Sequence, residues 1–427
     1  MPRLPAFPSD CTVTVDGVPL PARAGEPLAA ALIAAGRPLL SRSAKYHRPR
    51  GAFCLVGACG TCLVRAGGLP NQRACRLPCA PDLVIETQNA VPSVRHDLLG
   101  LLDAVYAHGM DHHHLMTWNA LANRAAVAVA RQLAGLGQLP GADAGPVPPG
   151  PPAQAEPWEA LVVGAGPAGL AAAEALAEQG RRVLLADSEP VAGGRLRARL
   201  GLTGEPGLDW AAGVAARVRA AGGEVALGTA VLGFWIDAGA PLAALRGEGR
   251  GLRLVRPGRI VLCPGGHPTP LAAVDGDRPG VHAARGLLAA LAEHGVLPGR
   301  RIAVAGEGAE AQAAAARFAA AGVAVEAAPA VARVHGRARV RAVEVPGRGR
   351  VLCDAVAVAL PPAPAVTLAR LLGAAVEPGE DGTPAVRVDA EGRTSVPGLL
   401  AAGEVTGAVD PAAAAERGRR AGEAARG

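Results

Sequence analysis

Apolar and polar residues alternate through Cys11-Thr-Val-Thr-Val15 and again from Val18 to Arg23, with Asp16-Gly17 between the two runs. A period of two broken by a turn dipeptide predicts a β-hairpin. The apolar run from Pro27 to Ala35 reads as a short helix ending at Gly36, and strands are expected near Cys62 to Ala66 and Leu83 to Thr87. Further along the pattern changes. Ala160-Leu-Val-Val163 is a buried-strand run that opens into an alanine-rich helix, and Val183 to Asp187, Arg301 to Ala305 and Val323 to Glu326 are further short apolar strands. Between the two regions, residues 137–157 are rich in Pro, Gly and Ala and predict a semi-extended linker.

Four cysteines in the first region change the picture. Cys54, Cys59, Cys62 and Cys75 stand in the spacing C-x4-C-x2-C-x12-C, which matches the plant-type ligand set of a 2Fe-2S cluster. Zinc sites favour paired C-x2-C knuckles, and only one such pair is present in the quartet. Gly57 and Gly60 are expected where a side chain would collide with the cluster loop. Cys79 is the rival for the fourth ligand place; Cys75 is preferred because it closes the loop from a predicted strand end. Cys11, Cys263 and Cys353 lie in or beside apolar runs and are expected to be small core residues.

The second region carries glycine loops. Gly164, Gly166 and Gly169 form G-x-G-x-x-G between a strand and a helix, where the turn, the approach of a pyrophosphate and helix-on-strand packing all need glycine. Asp187, ending the next strand, is placed to bind an adenosine ribose. Gly193-Gly194-Arg195 offers a second phosphate-approach loop. Gly306, Gly308 and Ala311 repeat the turn more weakly, with Glu326 as the matching acid.

Composition narrows the partners. A net charge of +6 with acids interleaved among the bases, and only 2% aromatic residues, argues against nucleic acid. No apolar run is long enough to span a bilayer, and MPRLPAFPSD lacks a basic region followed by an apolar one. Eight cysteines, four of them assigned to iron, make a reducing cytoplasm the expected location. Lys45 is the only lysine, so a pocket that accepts a point charge and not a planar fork is one reading of it, and chance retention is the other. His112-His-His114, with His108 before it, points in several directions from a helix, so an interface is favoured over a metal site. Trp210, Phe234 and Trp235 are expected to be core anchors.

Hairpin, helix, cysteine loop and returning strand together resemble the β-grasp ferredoxin fold. The segment Thr394 to Gly407, with Gly403 and Glu404, resembles the flavin-binding end of the two-dinucleotide-domain oxidoreductases, which implies that Glu404 holds the ribityl chain of FAD. Ser41 to Gly51 (SRSAKYHRPRG), Asp277 to Val281, Gly295 to Arg301 and Cys353-Asp354 resemble the alpha subunits of heterotetrameric sarcosine oxidases and their relatives. The large folate-binding region of those subunits has no counterpart here, which turns the resemblance toward opine oxidases, hydrogen cyanide synthase and proline or hydroxyproline dehydrogenases. The fold class expected is thus α/β and α+β multidomain, a β-grasp 2Fe-2S domain followed by a Rossmann-like flavoprotein module. Residues 1–92 are the ferredoxin-like domain, 93–136 a helical connector, 137–157 the linker, 158–275 with 385–427 the FAD-binding domain, and 276–384 an inserted NAD(P)-binding-like domain.

The resemblance implies a chain that carries a 2Fe-2S cluster and FAD, with NAD(P), another adenine nucleotide or nothing in the inserted domain. It implies a beta-type flavoprotein partner that oxidises an amine or amino acid, and an electron acceptor. The rival readings are a self-contained NAD(P)H-dependent reductase of its own cluster and a structural subunit with degenerate nucleotide sites. No residue is singled out as the group that first touches substrate.

Overall fold

The computed structural model describes residues 3–43, 46–101, 119–133, 154–198, 207–247, 250–379 and 382–425. Lys45, the histidines 108 and 112–114 and most of the expected linker lie outside those residues. Contacts divide the chain into two units, residues 1–146 with 270–360 and residues 147–269 with 361–427.

In the first unit, Cys11–Val15 and Val18–Ala22 form the expected hairpin, turning at Asp16 (φ 52°) and Gly17 (φ 75°). The left-handed pair matches the twist of the flanking strands. Five strands follow the order Val18–Ala22, Cys11–Val15, Val84–Glu86, Leu63–Ala66, Leu69–Arg73, with only the pair Cys11–Val15 and Val84–Glu86 parallel. Nothing in the sequence pattern predicts the strand Leu69–Arg73, because LPNQR carries neither alternation nor β-branched residues. All seven residues of the helix Leu28–Ala34 are buried, as an all-apolar helix requires, and Leu28 and Leu32 share a core with Val13, Leu20 and Ile85. Of the expected helical connector, the described part holds a 3-10 turn, Leu98–Leu101, and a helix, Ala120–Leu133.

The same unit holds the insert. Its parallel sheet runs Val281–Ala283, Ala355–Val358, Arg301–Ala305, Ala324–Ala328, joined through the helices Ala284–His294 and Gly308–Ala320. An antiparallel three-strand layer, Arg333–His335, Ala342–Val345 and Gly349–Leu352, precedes the last strand. Ala290 and Val296 of the insert complete the β-grasp core. At the amino end, Arg3 bonds both oxygens of buried Glu26 at 2.8 Å and the carbonyl of His294 at 2.7 Å.

The second unit is built on a sheet ordered Glu224–Ala226, Val183–Ala186, Glu156–Val163, Arg250–Leu262, Ala240–Gly247, Thr229–Asp237, with Leu399–Ala401 joining the long strand in parallel. The helices Pro167–Glu178 and Pro411–Ala424 pack closely. A Cβ on Gly418 would stand 2.0 Å from the Ala168 carbonyl oxygen, and one on Gly422 2.5 Å from that of Ala172. The insert is shorter than the sequence suggests. Residues 361–384 belong with the second unit, where Ala369 and Ala374 are buried against Leu161, Val163 and Leu262. Phe234 is a core residue, but Trp235 next to it is 56% exposed on the outermost strand, because alternation turns it outward. Trp210 is partly buried.

Candidate functional site

The cysteine loop runs without regular structure between Gly51 and Cys62 and gathers all four predicted sulfurs. Cys54, Cys62 and Cys75 are buried, and Cys59 is exposed. The Cys62 and Cys75 sulfurs are 3.4 Å apart, and Cys54 reaches the thiols of both Cys59 and Cys75. Among the described residues no three His, Cys, Asp or Glu side chains converge as a single ion's ligands. A binuclear cluster takes four thiolates, two on each iron. Four cysteine sulfurs linked to one another by short contacts fit that ligand set.

Backbone and side chains support the sulfurs. The Cys59 amide donates to Cys54 Sγ at 3.4 Å, Thr61 Oγ1 lies 3.1 Å from Cys59 Sγ, and Arg73 donates to the Gly57 carbonyl at 2.7 Å. Shared hydrogen bonds hold the Cys54 and Cys62 thiols low and raise those of Cys59 and Cys75, so the four titrate together. Cys79 stands apart in the hydrophobic core, and burial pushes its thiol up to about 12. The crowding expected at Gly60 is not there, since nothing lies within 4 Å of its Cβ position; its φ of 66° is what requires glycine.

Sequence reasoning misses what lies beneath this loop. His282 Nδ1 is 2.7 Å from the Ala52 carbonyl oxygen, and the Ala283 amide donates to the Phe53 carbonyl at 2.9 Å. A Cβ on Gly286 would stand 2.2 Å from the Cys54 carbonyl oxygen. His282 and Gly286 belong to no recognisable pattern, and only the fold brings them here. Of the KYHRPRG segment, His47 Nδ1 is 2.9 Å from Asp97 Oδ2, and Arg48 and Arg50 bond Asp277 at 2.8 and 2.7 Å.

In the second unit the predicted glycines meet at the carboxyl ends of the parallel strands, where ligands of such sheets bind. A Cβ on Gly164 would be 2.2 Å from the Cys263 carbonyl oxygen, and one on Gly169 only 1.7 Å from that of Gly164. Around Gly166, at the helix N-cap, there is open space. Gly194 packs against it, its Cβ position 3.0 Å from Gly166 Cα. Asp187 ends its strand as expected. Its Oδ2 accepts from the Ala165 amide at 2.5 Å and its Oδ1 from the Glu189 amide at 2.8 Å. Burial raises its pKa, although both amides oppose that rise. Each oxygen keeps a second lone pair.

Arg195, in the loop expected to approach a phosphate, is engaged within the protein. Its guanidinium donates to Glu404 Oε1 at 3.0 Å and to the Val409 carbonyl at 2.8 Å. Glu404, buried in the turn Gly403–Thr406, is thus held by Arg195 at the end of Leu399–Ala401. The open turn, the buried acid and the crowded glycines fit a dinucleotide.

The insert repeats the turn with other contents. Gly306 donates to Ala328 as Gly164 does to Ala186. Glu326 does not end its strand: it lies in the middle of Ala324–Ala328 and pairs with Arg348 at 3.4 Å. The residue after Ala328, in the place of Asp187, is Pro329. Exposed Glu307 stands at the helix N-cap position without a side-chain bond to the helix, and Glu310 in the first turn is clamped by Arg285 at 2.7 and 2.8 Å.

Comparison with known proteins bears on both regions. The model of a 2Fe-2S iron-sulfur cluster binding domain matches residues 9–90, and that of an NAD(P)-binding Rossmann-like domain matches residues 162–216. The alpha subunit of sarcosine oxidase from Rhizobium meliloti is 34% identical over 317 residues, 68% of this chain and 31% of that protein. The chain is a homologue of sarcosine oxidase alpha subunits. This homologue spans about a third of the length of the alpha subunits it matches. It also resembles one component of the opine oxidase of the same organism, 32% identical over 35% of this chain and 34% of that one. A hydrogen cyanide synthase component of Pseudomonas aeruginosa is 36% identical over 20% of the chain and 81% of its own length. The structure of L-proline dehydrogenase from P. horikoshii superposes with a TM-score of 0.75 at 20% identity, covering 96% of this chain and 72% of that one, which establishes the fold. Together the matches support an iron-sulfur flavo-oxidoreductase subunit. No helix among the described residues is long and apolar enough to cross a membrane.

Proposed function

We propose that the chain is the electron-transfer component of a multisubunit dehydrogenase or oxidase of amines or amino acids, relaying electrons between a substrate-oxidising flavoprotein partner and an acceptor. The observation that carries this reading is the cysteine quartet, paired at 3.4 Å between Cys62 and Cys75 in a loop of the right length. Cys54, Cys59, Cys62 and Cys75 would together hold the two irons. In the second unit, Gly164, Gly166, Gly169 and Gly194 would admit the pyrophosphate of FAD, Asp187 would take the ribose, and Gly403 and Glu404 would lie toward the ribityl chain. When bound, the flavin exchanges one or two electrons and the cluster exchanges one, which suits a junction between two-electron oxidation and single-electron transfer. This chain's own residues bind and orient: the Arg195–Glu404 pair fixes the flavin-facing turn, and the Cys59 amide stabilises negative charge on the Cys54 sulfur.

The rival, a self-contained NAD(P)H reductase, needs a dinucleotide in the insert. Pro329 in place of the ribose acid, and Glu307 where phosphate would approach, disfavour it. Anaerobic purification with iron, sulfide and flavin quantification tests the reading. The expected result is a reducible 2Fe-2S signal, bound flavin and a co-purifying flavoprotein. Flavin bleached by NADH or NADPH without that partner would establish the rival instead, and iron without flavin would establish a structural role.

A further inference from the structure

A cavity of about 650 Å³ opens in the first unit between the β-grasp domain and the insert. Arg95, Arg337, Arg339 and Arg341 line it. None of the four has a carboxylate partner among the described residues. Elsewhere in the same unit Arg3 meets Glu26, Arg50 meets Asp277, Arg285 meets Glu310 and Arg348 meets Glu326. Here four arginines line one cleft whose walls hold a single carboxylate. The one lining carboxylate, Asp16, is already engaged by Arg37 at 3.3 Å and by the Thr87 amide at 2.7 Å.

The loop that carries three of the arginines is fixed in advance. Gly336, at φ 142°, leaves no room for a side chain, since a Cβ would fall 1.9 Å from the Arg339 carbonyl oxygen. The Arg341 amide donates to the His335 carbonyl at 2.8 Å, the Val340 amide to Pro279 at 2.9 Å, and Arg278 to the Arg337 carbonyl at 2.8 Å. Positive charge held this way repels itself, and Arg337 helps to lower the pKa of neighbouring Arg42, after burial. An anion would relieve that repulsion. Planar guanidinium forks match phosphate oxygens two at a time, and the volume is that of a small-molecule pocket.

We propose that this cleft is a binding site for a phosphorylated small molecule of nucleotide size, separate from both dinucleotide turns. Phosphate oxygens lie among Arg337, Arg339, Arg341 and Arg95, and the apolar wall of Leu39, Val94 and Ala338 takes the rest of the ligand.

The test is calorimetric titration of the iron- and flavin-loaded protein at low ionic strength, with sodium tripolyphosphate and separately with ATP. Both are expected to bind. The double variant Arg337→Ala/Arg339→Ala should weaken both by at least about tenfold, because charge-assisted bonds of this kind each contribute on that scale. Arg350→Ala, an exposed arginine outside the cleft, should change neither. Arg337→Lys/Arg339→Lys keeps the charge but loses the fork, and should fall between the wild type and the alanine variant. Tighter binding of ATP than of tripolyphosphate assigns the apolar wall to a nucleoside; equal affinity assigns the site to phosphate groups alone. Absence of binding by the wild type, or unchanged affinity in the alanine variant, overturns the proposal. So does a variant that keeps its affinity for tripolyphosphate yet loses a co-purifying protein, which would make the arginines a protein-docking surface.

Discussion

The second unit and the insert build the same strand, turn and helix from different chemistry. In the second unit the Gly164 amide reaches Ala186 at 2.8 Å and the chain continues into Asp187; in the insert the Gly306 amide reaches Ala328 at 3.3 Å and the chain continues into Pro329. One turn presents open space at Gly166, with Gly194 packed beside it. The other has the same open space at Gly308, but it carries Glu307 at the helix N-cap, Glu310 in the first turn and Pro329 in place of the acid. Backbone geometry is shared and the charge around the turn is not. The insert's visible work is elsewhere: His282 and Gly286 press against the cysteine loop. The dinucleotide skeleton of the insert thus also packs against the cysteine loop.

The strongest way to break this comparison is steric. Gly169→Val drives a branched side chain into the Gly164 carbonyl, which already lies 1.7 Å from the Cβ position. Overpacking of that kind costs about 3 kcal/mol or more, and it displaces the turn that admits the pyrophosphate. The variant should be isolated without flavin and melt well below the wild type. Gly308→Ala, with nothing within 4 Å of its Cβ position and only its φ of 85° to strain, should cost about 1 kcal/mol and leave flavin content unchanged. Equal flavin loss in both variants would erase the distinction between the regions.

A middle-sized effect tests the insert as a support. Burial lowers the His282 pKa to about 4, against an unfolded value near 6.5, so the ring is neutral in the folded protein at pH 7. Between those two pH values the unfolded chain binds more protons. His282 therefore contributes stability that is complete above about pH 6.5 and is lost as pH falls toward 4, about 2 kcal/mol of it by pH 5. Denaturant curves followed by cluster absorbance at pH 7.5 and 5.0 should show the loss, and His282→Asn should reduce it. An identical pH dependence in the variant would remove His282 from the support of the cysteine loop.

Much of this is legible in the sequence. The cysteine spacing, the Asp16-Gly17 hairpin and the first glycine turn are local patterns, and local patterns survive without knowledge of the fold. Three departures have physical causes. The strand Leu69–Arg73 forms because it pairs with Leu63–Ala66, a tertiary effect that LPNQR does not announce. Glu326 reads as a strand end because apolar patterning fades there, yet pairing with Arg301–Ala305 carries the strand on to Ala328. Residues 361–384 join the second unit through burial of Ala369 and Ala374, alanines that a sequence reading cannot assign to one core over another. His282, Gly286 and the arginine cleft arise only where distant segments meet.

The smallest effect is the most selective. Asp187 and Glu326 both read as ribose acids in the sequence, but only Asp187 stands beside a glycine turn, its oxygens bonded to the Ala165 and Glu189 amides. Asp187→Asn keeps the size and replaces one acceptor oxygen with a donor, so one amide faces another donor and a ribose hydroxyl loses an acceptor. Relief of the desolvation that raises the Asp187 pKa offsets part of this cost. The net expectation is a loss of about tenfold in flavin affinity, or roughly 1.4 kcal/mol, measured by flavin release on dilution. Glu326→Gln breaks only the 3.4 Å pair with Arg348, which is half exposed, and should leave flavin affinity and nucleotide binding unchanged. A Glu326 variant that lost affinity for a nicotinamide nucleotide would return the insert to the role its skeleton suggests, and the two regions would then differ in degree and not in kind.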